Sequence, residues 1–115
     1  MDAVKLAGLE PASVFSYFEK LCSIPHGSGN TKAISDYLVS FAREQGIRYI
    51  QDDLNNVIFF QVGTCGLEDR APVILQGHMD MVCEKDADCS IDMQTEGVDV
   101  TCDAQWVWAK GTSLG

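Results

Sequence analysis

A histidine and an aspartate two residues apart, His78 and Asp80 in Gln76-Gly77-His78-Met79-Asp80-Met81, are the residues of this chain best suited to chemistry. In extended backbone that spacing puts both side chains on one side, roughly 7 Å apart along the chain. An imidazole and a carboxylate so placed can serve as a metal ligand and as the acceptor that holds the ring's second nitrogen, the usual arrangement at zinc. His-x-Asp alone is a weak pattern, because a histidine near a strand end is more often structural than a ligand. Its position strengthens it. The preceding Val73-Ile74-Leu75 is a continuous apolar run, which predicts a strand covered on both faces, and ligands of open α/β sheets gather at the carboxyl ends of such strands.

The elements that would position this pair follow from the periodicity of the chain. Pro11 suits the first turn of a helix whose apolar face is Val14, Phe15, Phe18, Leu21 and Cys22 and which ends near Pro25. Asn30 or Ser28 is suited to cap a second helix with the face Ile34, Tyr37, Leu38, Phe41 and Ala42, stopped by Gly46. The period then changes. Ile47 to Ile50 and Val57 to Val62 are predicted strands around a turn at Asp52 to Asn56, and Val98 to Thr101 and Trp106 to Lys110 a second hairpin with Trp106 and Trp108 on one face. The order of helices, hairpins and a buried strand predicts a layered α/β domain, but two helices are too few to cover both faces of a sheet with so apolar a central strand.

Other candidates carry less. His26 lies in the turn-rich His26-Gly27-Ser28-Gly29-Asn30 and reads as a turn residue, with an approach to the site from a neighbouring loop as the alternative. Gly27-Ser28-Gly29 follows a helix and lacks the lysine and spacing of a phosphate loop. The five cysteines, Cys22, Cys65, Cys83, Cys89 and Cys102, contain no Cys-x-x-Cys pair, which excludes a thiolate zinc motif and a disulfide framework and predicts reduced thiols. Cys83 near the motif has no identifiable basic partner and reads as a buried or semi-buried structural thiol.

Eight basic against seventeen acidic residues give a net charge of -9, which repels nucleic acid and anionic membranes. Seven carboxylates between Glu84 and Asp103 read as a solvated loop, since calcium-loop spacing is missing. No apolar run reaches the roughly 18 residues of a membrane span, and the first residues lack the character of a signal peptide, so a cytoplasmic protein is expected.

Beyond these readings, Leu75-Gln76-Gly77-His78-Met79-Asp80-Met81-Val82 resembles the first signature of the metal-dependent exopeptidases that include carboxypeptidase G, acetylornithine deacetylase and peptidase T. Its His-Met-Asp-Met-Val core is most similar to the aminoacyl-histidine dipeptidases. The resemblance extends over Val14-Phe15-x-Tyr17-Phe18-x-Lys20-Leu21, Ile24 to Thr31, Asp53-x-x-Asn56-Val57-Ile58 and Trp106-x-x-Ala109-x-Gly111 to Gly115. It implies the amino-terminal part of a three-layer α/β/α zinc-exopeptidase catalytic domain with a mixed sheet, the rest of that domain and an inserted lid or dimerisation domain lying outside residues 1–115.

The same resemblance implies two zinc ions (Zn2+, with Co2+ or Mn2+ in substitution) per complete site, His78 as a ligand of one, and Asp80 orienting its ring. It implies an unblocked dipeptide substrate, Xaa-His foremost, hydrolysed by a metal-activated water, and a homodimer of the full-length protein. In the family the bridging aspartate, the remaining ligands and the general-base glutamate follow the Gly-Thr-Ser-Leu-Gly segment, so no carboxylate here is given those roles. These 115 residues alone are expected to bind zinc weakly, to lack peptidase activity and to expose apolar edges that favour association between copies. The alternatives are a non-catalytic truncated homologue acting as a binding or assembly module, and another exopeptidase or deacylase of the same family.

Overall fold

Residues 5–114 are described by the computed structural model of the chain. Chain order gives α1 (Ala12–Cys22), α2 (Lys32–Glu44), β1 (Arg48–Gln51), β2 (Val57–Phe60), β3 (Thr101–Cys102) and β4 (Val107–Trp108). These elements fall into two compact units, one of Ser35–Met79 and one of the described parts of Met1–Ile34 and Asp80–Gly115. No described helix is long and apolar enough to cross a membrane.

In the second of these units α1 supplies Phe15, Phe18 and Cys22 to a core of Leu6, Cys22, Met93, Val98, Val100 and Ala109. The spacing i, i+3, i+7 aligns those three on one helical stripe. Val14, expected on it, lies about 100° round the helix from Phe15 and faces solvent. Pro11 stands one residue earlier than expected, at the N-cap. The helix ends where Ser23 turns back, its N–H donating to Glu19 O at 3.1 Å and its hydroxyl to Lys20 O at 2.6 Å. Burial, and then the nearby Glu19 charge, push the Cys22 thiol up to about 11, so it remains protonated at neutral pH.

The acidic stretch divides by side-chain chemistry. Its seven carboxylates are exposed as expected, whereas its apolar Met93, Val98 and Val100 turn into the core. Val98 N–H donates to Cys22 O at 2.9 Å, which draws the stretch so close to the end of α1 that a Cβ on Gly97 would sit 2.4 Å from the Ser23 carbonyl carbon and oxygen. β3 and β4 form the second hairpin in the register Thr101↔Trp108 and Cys102↔Val107. Its turn lies one residue later than expected, because Asp103 accepts the N–H groups of Gln105 and Trp106, both at 2.8 Å. Trp106 consequently closes the turn and is exposed, while Trp108 is half-buried in the strand.

In the other unit β1 and β2 pair antiparallel from Arg48↔Phe60 to Gln51↔Val57. Asp52 builds the intervening turn, its carboxylate accepting Leu54 N, Asn56 N and Asn56 Nδ2 within 2.9 Å. Phe41 of α2 stacks on Phe59 of β2 with centroids 6.2 Å apart. Ser35, fully buried, donates its hydroxyl to Asn55 O at 2.8 Å and accepts from Gln51 Nε2 at 2.8 Å. Gly46, at φ 67°, ends α2 in a Schellman motif in which Ile47 N reaches Ala42 O and Gly46 N reaches Arg43 O. Neither expected cap is used. α2 begins at Lys32, beyond the reach of Ser28, and the Asn30 amide donates to Gln94 O.

The largest departure is Val73-Ile74-Leu75. These side chains are 84%, 86% and 94% exposed and form no strand. A continuous apolar run states a demand for neighbours on both edges and both faces. Among the described residues the sheets are only the two pairs β1–β2 and β3–β4, and neither takes it in.

Two expectations follow. Gly97→Ala places its methyl against backbone that cannot rotate away, so it is expected to destabilise the chain by about 2–3 kcal/mol, the upper range for overpacking, with Gly63→Ala a comparable case at Leu67; urea denaturation measures both. Hydrogen bonds also hold the turn aspartates below the ordinary carboxylate value: Asp52 through Asn56, Asp92 through Gln94 N–H and Thr95, and Asp103 through the N–H groups of Gln105 and Trp106. A depressed carboxylate contributes stability above its unfolded pKa of about 3.9 that is lost as pH falls through the folded value. The urea midpoint is therefore expected to be flat from neutral pH to about 5 and to fall below about 4, less steeply in the Asp→Asn triple variant.

Candidate functional site

Asp80 owes its position to a close approach of two backbone segments. Gly27 and Met81 form a parallel bridge in which Met81 N–H donates to His26 O at 3.0 Å and Ser28 N–H donates to Met81 O at 3.1 Å. Gly27 is buried, and a Cβ there would lie 2.5 Å from Cys83 Sγ. A residue without a side chain is what allows the loop to lie against the Met81–Cys83 segment. The adjoining Ser28 hydroxyl then donates to Asp80 Oδ2 at 2.5 Å, and Asp80 is half-buried.

His78 is exposed. The division of the chain falls between Met79 and Asp80, with His78 in the unit Ser35–Met79 and Asp80 in the other. The apolar run before His78 is open to solvent, so packing of a buried strand does not fix the histidine as expected.

His26 is half-buried, with its Nδ1 2.6 Å from Ile24 O. A carbonyl can only accept, so Nδ1 carries the proton and the ring is tied to its own turn. His26 is thus a turn residue, and the backbone of its turn pairs with Met81. Beside the bridge lies a cleft of about 170 Å³, open solvent included, lined by Pro25, His26, Met81, Cys83 and Glu96 among others.

Cys83 is exposed rather than buried, although its Sγ and Cβ both pack toward Gly27. The chemistry of the donors fits part of a zinc site, an imidazole nitrogen and a carboxylate in the role of its acceptor. It does not fit a whole one: among the described residues no group of three or more His, Cys, Asp or Glu side chains could hold a metal ion.

The residues that reasoning from sequence missed are Gly27 and Ser28, since Ser28 was expected as a helix cap. One signal was present. Gly29, at φ 79°, accounts for one glycine of the Gly-Ser-Gly turn, whereas Gly27 does not have a positive φ and requires close approach as its reason.

No protein-family model matches the chain. It is 37% identical over 111 residues to the cytosol non-specific dipeptidase of Escherichia coli (strain K12), covering 96% of this chain and 23% of that protein. Its structure superposes on the crystal structure of aminoacylhistidine dipeptidase from Vibrio alginolyticus with a TM-score of 0.88 and 38% identity, over 99% of this chain and 23% of that one. The expected α/β class therefore holds for the stretch the two structures share, and the chain, which spans about a quarter of the length of these two dipeptidases, is similar to them over nearly all of its own.

Proposed function

We propose that the chain is the portion of a cytoplasmic zinc dipeptidase that carries its first metal ligand, with His78 on the metal and Asp80 orienting the ring. The observation that carries this reading is the similarity to two dipeptidases over nearly the whole chain, with the His78-Met79-Asp80 motif inside the shared stretch. The substrate is an unblocked dipeptide, Xaa-His foremost. Zinc, when bound, polarises a peptide carbonyl and lowers the pKa of its water toward ~7.

What this chain's own residues do is narrower. The His78 imidazole offers one neutral nitrogen as a donor, and the Asp80 carboxylate accepts the N–H of the other, which fixes the tautomer and raises the ring's basicity. Ser28 and the Gly27 bridge hold Asp80. On this reading the remaining ligands and the general base would be supplied by residues other than these 115, and the full-length protein would be a homodimer. A second reading, a non-catalytic binding or assembly module, is favoured by the lack of a three-donor cluster among the described residues.

The protein expressed from its complete gene is expected to hydrolyse Xaa-His dipeptides with bound zinc. His78→Ala is expected to lower both zinc content and turnover, the latter by ~100-fold or more, the scale at which perturbed zinc sites fail. Wild-type zinc content and rate in that variant would falsify the assignment. If the complete protein neither binds zinc nor cleaves dipeptides, the module reading takes its place. Residues 1–115 alone are expected to bind zinc more weakly than about 1 μM and to show no turnover, since a lone histidine with one carboxylate cannot enclose the ion; isothermal titration and a chelator-controlled assay measure both.

A further inference from the structure

The Ser28 hydroxyl and the Asp80 carboxylate, 52 residues apart in sequence, meet at 2.5 Å. The geometry points to Ser28 as a positioning residue that acts on the site through Asp80, an assignment that rests on the reading of His78 and Asp80 as ligand and orienting carboxylate. An aspartate side chain turns about χ1 and, over a broad well, about χ2. A bond to Oδ2 restrains both torsions and thereby sets the direction of Oδ1. A separation of 2.5 Å is in the range of charge-assisted O–H···O⁻ bonds, about twice as strong as neutral ones. Such a restraint matters most for a carboxylate whose role is to hold a ring in one orientation.

Ser28 is itself delivered by backbone. Its N–H donates to Met81 O, Met81 N–H donates to His26 O, and Gly27 between them lies against Cys83. These backbone bonds already pin the loop, and the hydroxyl, which also lies 3.5 Å from Met81 O, makes its short bond to Asp80 instead. Helix capping does not account for that bond, because α2 begins four residues later at Lys32. The remaining consequence of the bond is the orientation of the Asp80 carboxylate.

The test uses Ser28→Ala, Ser28→Thr, Asp80→Ala and the Ser28→Ala/Asp80→Ala pair in the protein expressed from its complete gene. Zinc affinity is read by competition with a chromophoric chelator, kcat and KM with a dipeptide, and the bridge by hydrogen exchange of the peptide containing Met81. Ser28→Ala is expected to weaken zinc binding roughly tenfold, the lower end for groups that orient a ligand, and to lower kcat with KM unchanged and Met81 exchange unaltered. Ser28→Thr, which keeps the hydroxyl, is expected to restore wild-type affinity. In the Asp80→Ala background, removal of the hydroxyl is expected to have no further effect. Wild-type affinity in Ser28→Ala, an equal loss with and without Asp80, or a loss that tracks faster exchange at Met81 overturns the assignment of Ser28 alone, provided His78→Ala abolishes zinc binding. Retention of zinc by His78→Ala overturns the parent reading with it.

Discussion

The approach of Gly27 to the Met81–Cys83 segment is the contact on which the organisation around Asp80 depends. A side chain at position 27 would meet Cys83 Sγ at 2.5 Å, and separation of the two segments would remove both backbone bonds of the bridge and move the Ser28 hydroxyl away from Asp80. The stretch from Cys22 to Ser28 also receives chain from another direction. Cys22 O accepts Val98 N–H, and Gly97 lies against Ser23. Two glycines without positive φ thus bring two distant segments onto the few residues that follow α1, and in each case contact distance rather than backbone torsion requires glycine.

Much of the local structure was legible because it is set by neighbours in sequence. α1 and α2 follow from apolar spacing, the stop at Gly46 from its left-handed conformation, and the first hairpin from the aspartate and asparagines between β-branched runs. The errors have two forms. Val14 and the turn before Trp106 were misplaced by one residue of local geometry, the helical stripe and the Asp103 carboxylate deciding each, whereas the caps expected at Ser28 and Asn30 were lost to partners distant in sequence. Ser28 is the clearest case: a serine before a helix is a good cap, but its hydroxyl is committed to a carboxylate 52 residues away. Sequence spacing does not carry that information.

His78 and Asp80 were legible as types and spacing, and the dipeptidase likeness was legible in the segments around them, as the similarity to the Escherichia coli and Vibrio alginolyticus proteins bears out. What spacing could not supply was the means of holding each. Asp80 is held by a hydroxyl and by a bridge at the next residue. The histidine follows three apolar side chains that stand in water, each of which would contribute roughly 1.5–3 kcal/mol if buried.

That asymmetry bears on what each residue of the motif requires of the chain around it. The Ser28 bond to Asp80 depends on backbone contacts within one compact unit, so this carboxylate is restrained by the chain itself. The segment that leads into His78 gains its free energy from burial, which is non-directional and needs a partner surface. A hydrogen bond selects a direction, which burial does not. Of the two residues of the motif, Asp80 is therefore the one that a hydroxyl and a neighbouring backbone bridge restrain, and His78 is the one that follows a segment still demanding a covering surface.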